Sequence, residues 1–206
     1  VFIGHSRRCA PAMVLAEALY GYLTSELGLR VWLDVKMDDK SVVAMEHGVR
    51  RSRAFIAIIT GPCINPDKPD DDPTDNAYFS REFCLKELRW AIDAGKAIQP
   101  VIRAEDKANI GMLMADAPED LRFIGGIDFI DLERNDIEYW AVGVNKVRRF
   151  LDVQPPDEED EDDEEAAREE AAEGEPAASE ARNGGGGGDR GDGGGGASAF
   201  LAPLKL

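Results

Sequence analysis

The chain has 206 residues, 41 acidic and 24 basic, for a formal net charge of −17. From Pro155 onward lie 16 acidic and 4 basic residues and 11 of the 21 glycines, so the excess charge belongs to a tail and about 150 residues remain to build one core. The acidic balance excludes direct DNA or RNA binding, which needs clustered Lys and Arg, and no run approaches the roughly 18–20 apolar residues of a membrane helix.

In chain order, Val1–Ile3 is a short apolar strand, and Pro11 sits where a first helical turn tolerates proline. Val14, Leu15, Ala18, Leu19, Tyr22 and Leu23 then follow at helical spacing up to Gly28. Val31–Leu33 is a second strand ending at Asp34, residues 35–41 are a polar loop, and Val42–Arg53 is a helix. AFIAIIT (54–60) is continuously apolar, as a strand covered on both faces must be. Gly61–Phe79 is a long loop with four prolines, a length often functional or mobile. Ser80 can cap a helix that stops at Gly95. Ala97–Ile102 and Ile127–Leu132 are further strands, short helical pieces fill 107–123, and Ile137–Leu151 is an amphipathic helix.

Five strands alternating with helices predict an α/β fold with an open, doubly wound parallel sheet over residues 1–152. Functional loops in such sheets lie at the carboxyl ends of the strands. Residues 153–196, acidic and then glycine-rich, read as a disordered linker. Residues 197–206 are a short apolar segment with no assigned role.

Cys9, Cys63 and Cys84 are too few and too scattered for a disulfide framework, and their spacing fits no zinc site. With only His5 and His47 besides, no structural metal is expected. Reduced thiols and no signal peptide are the expectation, which places the chain in the cytoplasm. The start at Val1, inside a strand, points to a preceding segment. No GxGxxG follows the first strand, and neither a GxxxxGK[ST] nor a GxSxG is present, which excludes P-loop and nucleophile-elbow chemistry.

The informative element is SREFCLKELRWAIDAG (80–95). At about 100° per residue, Leu85, Leu88 and Ile92 fall together with Cys84 and Ala91 beside them, which is the expected core face. Phe83, Glu87 and Trp90 fall within about 60° of one another on the opposite side. A carboxylate with aromatic rings one turn before and one turn after reads as a pocket wall, where partial desolvation raises the glutamate pKa. The competing reading packs both rings under the long loop and leaves Glu87 at the surface; helical geometry alone leans slightly to it.

FIGHS near the start resembles the first box of TIR (Toll/interleukin-1 receptor/resistance) domains. VWLD, the polar loop and GVRRSRAFIAIIT resemble their second strand, loop, helix and third strand. FCLKEL resembles their aromatic-Cys-Leu-x-Glu-Leu helix, and AGKAIQPVI the strand after it. The resemblance covers Val1–Leu151; the order and spacing of the motifs carry it rather than any one of them. It implies a flavodoxin-like sheet and a signalling module that self-associates with other TIR domains as a homo-oligomer. It also implies NAD+-hydrolase-like members, which release nicotinamide and leave ADP-ribose or a cyclic form. NAD+ is then a substrate, and no cofactor is needed. By motif the catalytic glutamate is Glu87 and its preceding aromatic is Phe83. The resemblance tips the reading of Glu87 towards function.

The chemistry suits the residue. Cleaving the nicotinamide–ribose bond develops positive charge on the sugar, which a carboxylate stabilises. Nicotinamide leaves NAD+ from a ring already cationic, so no paired general acid is needed. Arg7 and Arg8, just before the first helix, are candidates for the pyrophosphate. Ser6, Asp34, Lys40 and Trp90 complete the expected substrate-binding set. Ser52 reads as structural, and Trp32 and Trp140 as core. Three departures from the family pattern bear on activity. No acidic residue follows the first box closely, the loop 35–47 is short and has no glycine, and Phe83 stands in place of Trp. The alternatives are a non-enzymatic TIR scaffold, mildly favoured by that loop, and an enzyme like the nucleoside deoxyribosyltransferases.

Overall fold

The computed structural model describes residues 1–65 and 67–155. Its regular elements are β1 (Phe2–His5), α1 (Ala10–Gly21), α2 (Val42–Arg51), β2 (Ala54–Ile58), α3 (Glu82–Asp93), β3 (Ala97–Arg103), α4 (Ile110–Ala115), β4 (Ile130–Leu132) and α5 (Ile137–Asp152). The strands form one parallel sheet in the order β1-β2-β3-β4.

The fifth strand expected at Val31–Leu33 is reduced to one parallel bridge, Phe2 with Trp32. Trp32 N–H donates to the Val1 carbonyl at 2.8 Å, and Ile3 N–H donates to the Trp32 carbonyl at 3.0 Å. The ladder stops there because the chain turns at once: Asp34–Lys36 is a 3₁₀ turn in which Lys36 N–H donates to the Leu33 carbonyl at 2.8 Å. The segment still covers the sheet edge beside β1, so the layer order follows the expected doubly wound pattern with four true strands among the described residues.

Side chains alternate across the pleat into two apolar layers. Ile3, Ile56 and Ile58 pack with Leu15, Leu19, Val144 and Val147 of α1 and α5. Phe2, Phe55 and Ala57 pack with Val49, Leu88, Ala91 and Leu121 on the other face. Each fully buried branched side chain contributes roughly 1.5–3 kcal/mol of transfer free energy.

Helix ends follow local chemistry. Ser41 Oγ accepts from Ala44 N–H at 3.1 Å to start α2, and Asp136 accepts from the Glu138 and Tyr139 N–H groups to start α5. Gly28 and Gly95 supply the left-handed residues, φ 63° and 65°, that end the first and third helical segments. Ser80 does not cap α3. It ends a 3₁₀ turn, Tyr78–Ser80, and Arg81 holds the N-cap position without a side-chain bond. At β4, the buried Asp131 takes hydrogen bonds from Tyr139 Oη and, at 3.2 Å, from Lys107 Nζ. Burial alone would raise its pKa, but these bonds outweigh it and hold the carboxyl below its usual range.

The expectation of reduced thiols is corrected. Cys9 and Cys63 form a disulfide across 54 residues of sequence, and Cys84 alone is a free, buried thiol. The crossover topology brings the start of α1 against the loop after β2, which spacing along the chain does not reveal. The expected disordered linker lies outside the described residues apart from 153–155, and so does the apolar segment 197–206.

Candidate active site

A cavity of about 460 Å³ opens at the carboxyl ends of β1 and β2, where the sheet topology places it. Its walls come from four segments. The β1 loop supplies His5, Arg7 and Arg8, and the edge turn supplies Asp34. The long loop supplies Asn65, Asp67 and Lys68, and α3 with its N-cap supplies Arg81, Phe83, Cys84 and Glu87. Lys40, Met13 and Met45 complete the lining. A second cavity of about 430 Å³, under Trp32 at the sheet edge, has no carboxylate in its lining and offers no comparable chemistry.

The structure therefore gathers Glu87, Phe83, Arg7, Arg8, Asp34 and Lys40 around one cavity. It does not bring in Ser6 or Trp90. Ser6 is fully buried and its hydroxyl donates to the Asn76 carbonyl at 2.7 Å, tying the β1 loop to the long loop. Trp90 is half-buried and packs on the apolar layer. Ser52 is structural, its hydroxyl donating to the Gly48 carbonyl at 2.8 Å.

The expected face assignment of α3 also changes. Its buried side chains are Cys84, Glu87, Leu88 and Ala91, while Ile92 is exposed and Leu85 half-buried. The stripe Cys84–Leu88–Ala91 packs on the sheet, and Glu87 lies at the rim of that same side, over β1. Glu87 is 6 % exposed, against 42 % for Phe83. The aromatic ring thus stands at the mouth, with Lys86 Nζ 5.2 Å from its centroid, and the carboxyl lies inside.

This depth depends on Gly4. A Cβ there would stand 2.4 Å from Phe55 Cζ and 3.3 Å from Glu87 Oε2. Gly4→Ala is therefore expected to lower stability by about 1–3 kcal/mol, as overpacking does, and to displace the Glu87 carboxyl. Chemical denaturation of the two proteins checks it; an unchanged midpoint would show that the contact relaxes freely.

Burial, followed by the charge of Asp34, pushes the Glu87 carboxyl up to about 8. The Cys84 thiol is pushed well up by burial and then by Glu87, so it stays protonated, and its Sγ donates to the His5 carbonyl at 3.5 Å. Arg7 Nε lies 3.3 Å from Asp34 Oδ2, and Arg8 lies 4.0 Å from Asp71, so both guanidiniums are oriented by loop carboxylates. Both guanidiniums are themselves exposed, so the pairs add little stability but hold cations at the mouth.

The wall residues Asn65, Asp67, Lys68 and Arg81 were not expected from sequence. A long polar loop signals itself, but not which of its residues fold inward. His5 had a signal, its place at the end of a strand beside Ser6 and Arg7.

Among the described residues, no three His, Cys, Asp or Glu side chains lie close enough to hold a metal ion. No helix there is long and apolar enough to cross a membrane. No curated protein matches the sequence. A family model described as TIR domain matches residues 1–141, which span β1 to the first turn of α5 and include every wall of the cavity. The chain belongs to the TIR domain family, whose members are signalling modules that typically interact with other TIR domains.

Proposed function

We propose that this domain hydrolyses NAD+, releasing nicotinamide, with Glu87 as its catalytic carboxylate. The observation that carries the reading is a nearly buried carboxyl in the wall of a cavity whose mouth holds Arg7, Arg8, Lys40, Lys68 and Arg81. A dinucleotide joins one cationic ring to a pyrophosphate, and the site offers the Glu87 carboxyl inside, with Asp34 near it, and several bases in its lining. Positive charge growing on the ribose would be met by the ionised Glu87 in a water-poor setting, where electrostatic stabilisation is strongest. Phe83 at the mouth offers a face for a planar ring.

The test is nicotinamide release from NAD+ by the purified chain at high concentration, compared with Glu87→Ala. Release by the wild type alone supports the reading, and equal release by both proteins overturns the assignment of Glu87.

A second reading, a non-enzymatic scaffold, is favoured by one observation. Val43 at the start of α2, beside the glycine-free loop, is 77 % exposed, and Val42 beside it is also exposed. Such apolar groups suit a contact with another TIR domain. Assembly without loss of NAD+ would favour this role.

A further inference from the structure

Two side chains in the cavity wall have buried polar atoms with no hydrogen-bond partner: His5 through Nε2 and Asp34 through Oδ1. His5 is only 5 % exposed. With the ring proton on Nδ1, the unpartnered Nε2 is an acceptor. Asp34 has given its other oxygen, Oδ2, to Arg7. The charge of Asp34 acts on both His5 and Glu87. Two unpartnered polar atoms therefore belong to the lining of the cavity that holds the catalytic carboxyl. Buried polar groups in folded proteins are almost always partnered, and exceptions concentrate where a ligand or water completes the site.

What completes two acceptors is a group with two hydrogens. The smallest is water, and a water with both hydrogens held presents an oxygen lone pair outward. We propose that His5 and Asp34 hold the attacking water of the reaction, with His5 Nε2 taking its proton. This rests on the NAD+ reading above and adds the hydrolytic half to it. The water oxygen bonds to ribose C1′ as the C1′–N bond breaks. That bond's electron pair goes to the ring nitrogen of nicotinamide and cancels its positive charge. The water's proton passes to His5 Nε2 and from there to solvent. No oxidant or reductant is involved. Asp34 is a positioning residue in this scheme, while His5 touches a reacting atom.

The consequence separates water from other nucleophiles. Attack by an internal adenine nitrogen, or by an added pyridine base, needs no proton removed from water. His5→Gln is therefore expected to lower ADP-ribose formation at least tenfold while exchange of nicotinamide for an added pyridine stays within about threefold of wild type. Asp34→Asn should shift the same partition in the same direction, which guards against a His5 variant that fails to fold. An equal fall in hydrolysis and exchange in both variants would mark a structural role and overturn the proposal, as would unchanged hydrolysis. A wild type that releases no nicotinamide with either nucleophile overturns the NAD+ reading itself, a distinguishable result.

Discussion

Glu87→Gln is expected to end nicotinamide release and, in the same protein, to make the fold more stable at neutral pH. The sign follows from the direction of the shift. A carboxyl raised from 4.5 to about 8 by folding is held protonated in the native state and ionises readily in the unfolded chain. Its contribution to stability is therefore fully present below pH 4.5 and is lost as pH rises from there to about 8. At about 1.4 kcal/mol per pH unit, the loss is on the order of 3 kcal/mol at pH 7. Glutamine fills the same space and never ionises. The variant should melt on the order of 10 °C higher at pH 7, and the gap should close near pH 4.5. Thermal melts of both proteins at pH 4.5 and pH 7 check this. Equal melting temperatures at both pH values would mean that Glu87 is solvated.

The same burial shapes the rate. The free site carries a carboxyl that is largely neutral at pH 7, yet the proposed reaction needs the carboxylate. A cationic nicotinamide ring brought within a few ångströms lowers a carboxyl pKa by roughly 1–3 units. The substrate would thus ionise the group that acts on it. The expected signature is kcat/KM rising about tenfold per pH unit towards pH 8, with kcat levelling off at lower pH, because the first reports the free enzyme and the second the bound complex. Coincident profiles would remove the substrate's part in the ionisation.

Stability and the proposed activity pull on Glu87 in opposite directions, and its position was only partly legible in the sequence. The spacing of Phe83, Glu87 and Trp90 marks the right helix. It places Glu87 opposite the core, because periodicity assumes one buried face and one wet one. α3 has a buried face that runs past the sheet edge into a cavity, so a carboxyl shares it with Cys84 and Leu88. Strand content was legible where runs are continuously apolar, as in AFIAI of β2. It was less so at Val31–Leu33, where a turn begun by Asp34 ends pairing after one bridge. The TIR resemblance covered Val1–Leu151 because it rests on the order of motifs, and order survives such local losses. The partners of buried atoms, such as Ser6 with Asn76, belong to tertiary contact alone and have no trace in spacing.

Removing the Cys9–Cys63 link is expected to cost about 4 kcal/mol, the chain-entropy value for a closure of this length. Both cysteines are buried in the apolar layer against α1, and the link joins the β1 loop to the loop after β2, which together supply Arg7, Arg8, Asn65 and Lys68 to the cavity. The same two loops are also held by Ser6 with Asn76, by Arg8 with Asp71 and, within the long loop, by Asn76 Nδ2 donating to the Cys63 carbonyl at 2.9 Å. Cys63→Ser should therefore leave a folded domain with a lower denaturant midpoint rather than an open loop. Wild type treated with a dithiol reductant should fall to the same midpoint, and the variant should not respond to it. Thiol titration of the denatured, unreduced chain should find Cys84 alone. Three reactive thiols, or a variant as stable as wild type, would return the chain to the reduced state its cysteine spacing implies. If the link holds, two walls of the cavity are covalently tied, and Cys63→Ser should weaken dinucleotide binding while leaving Glu87 in place over Gly4.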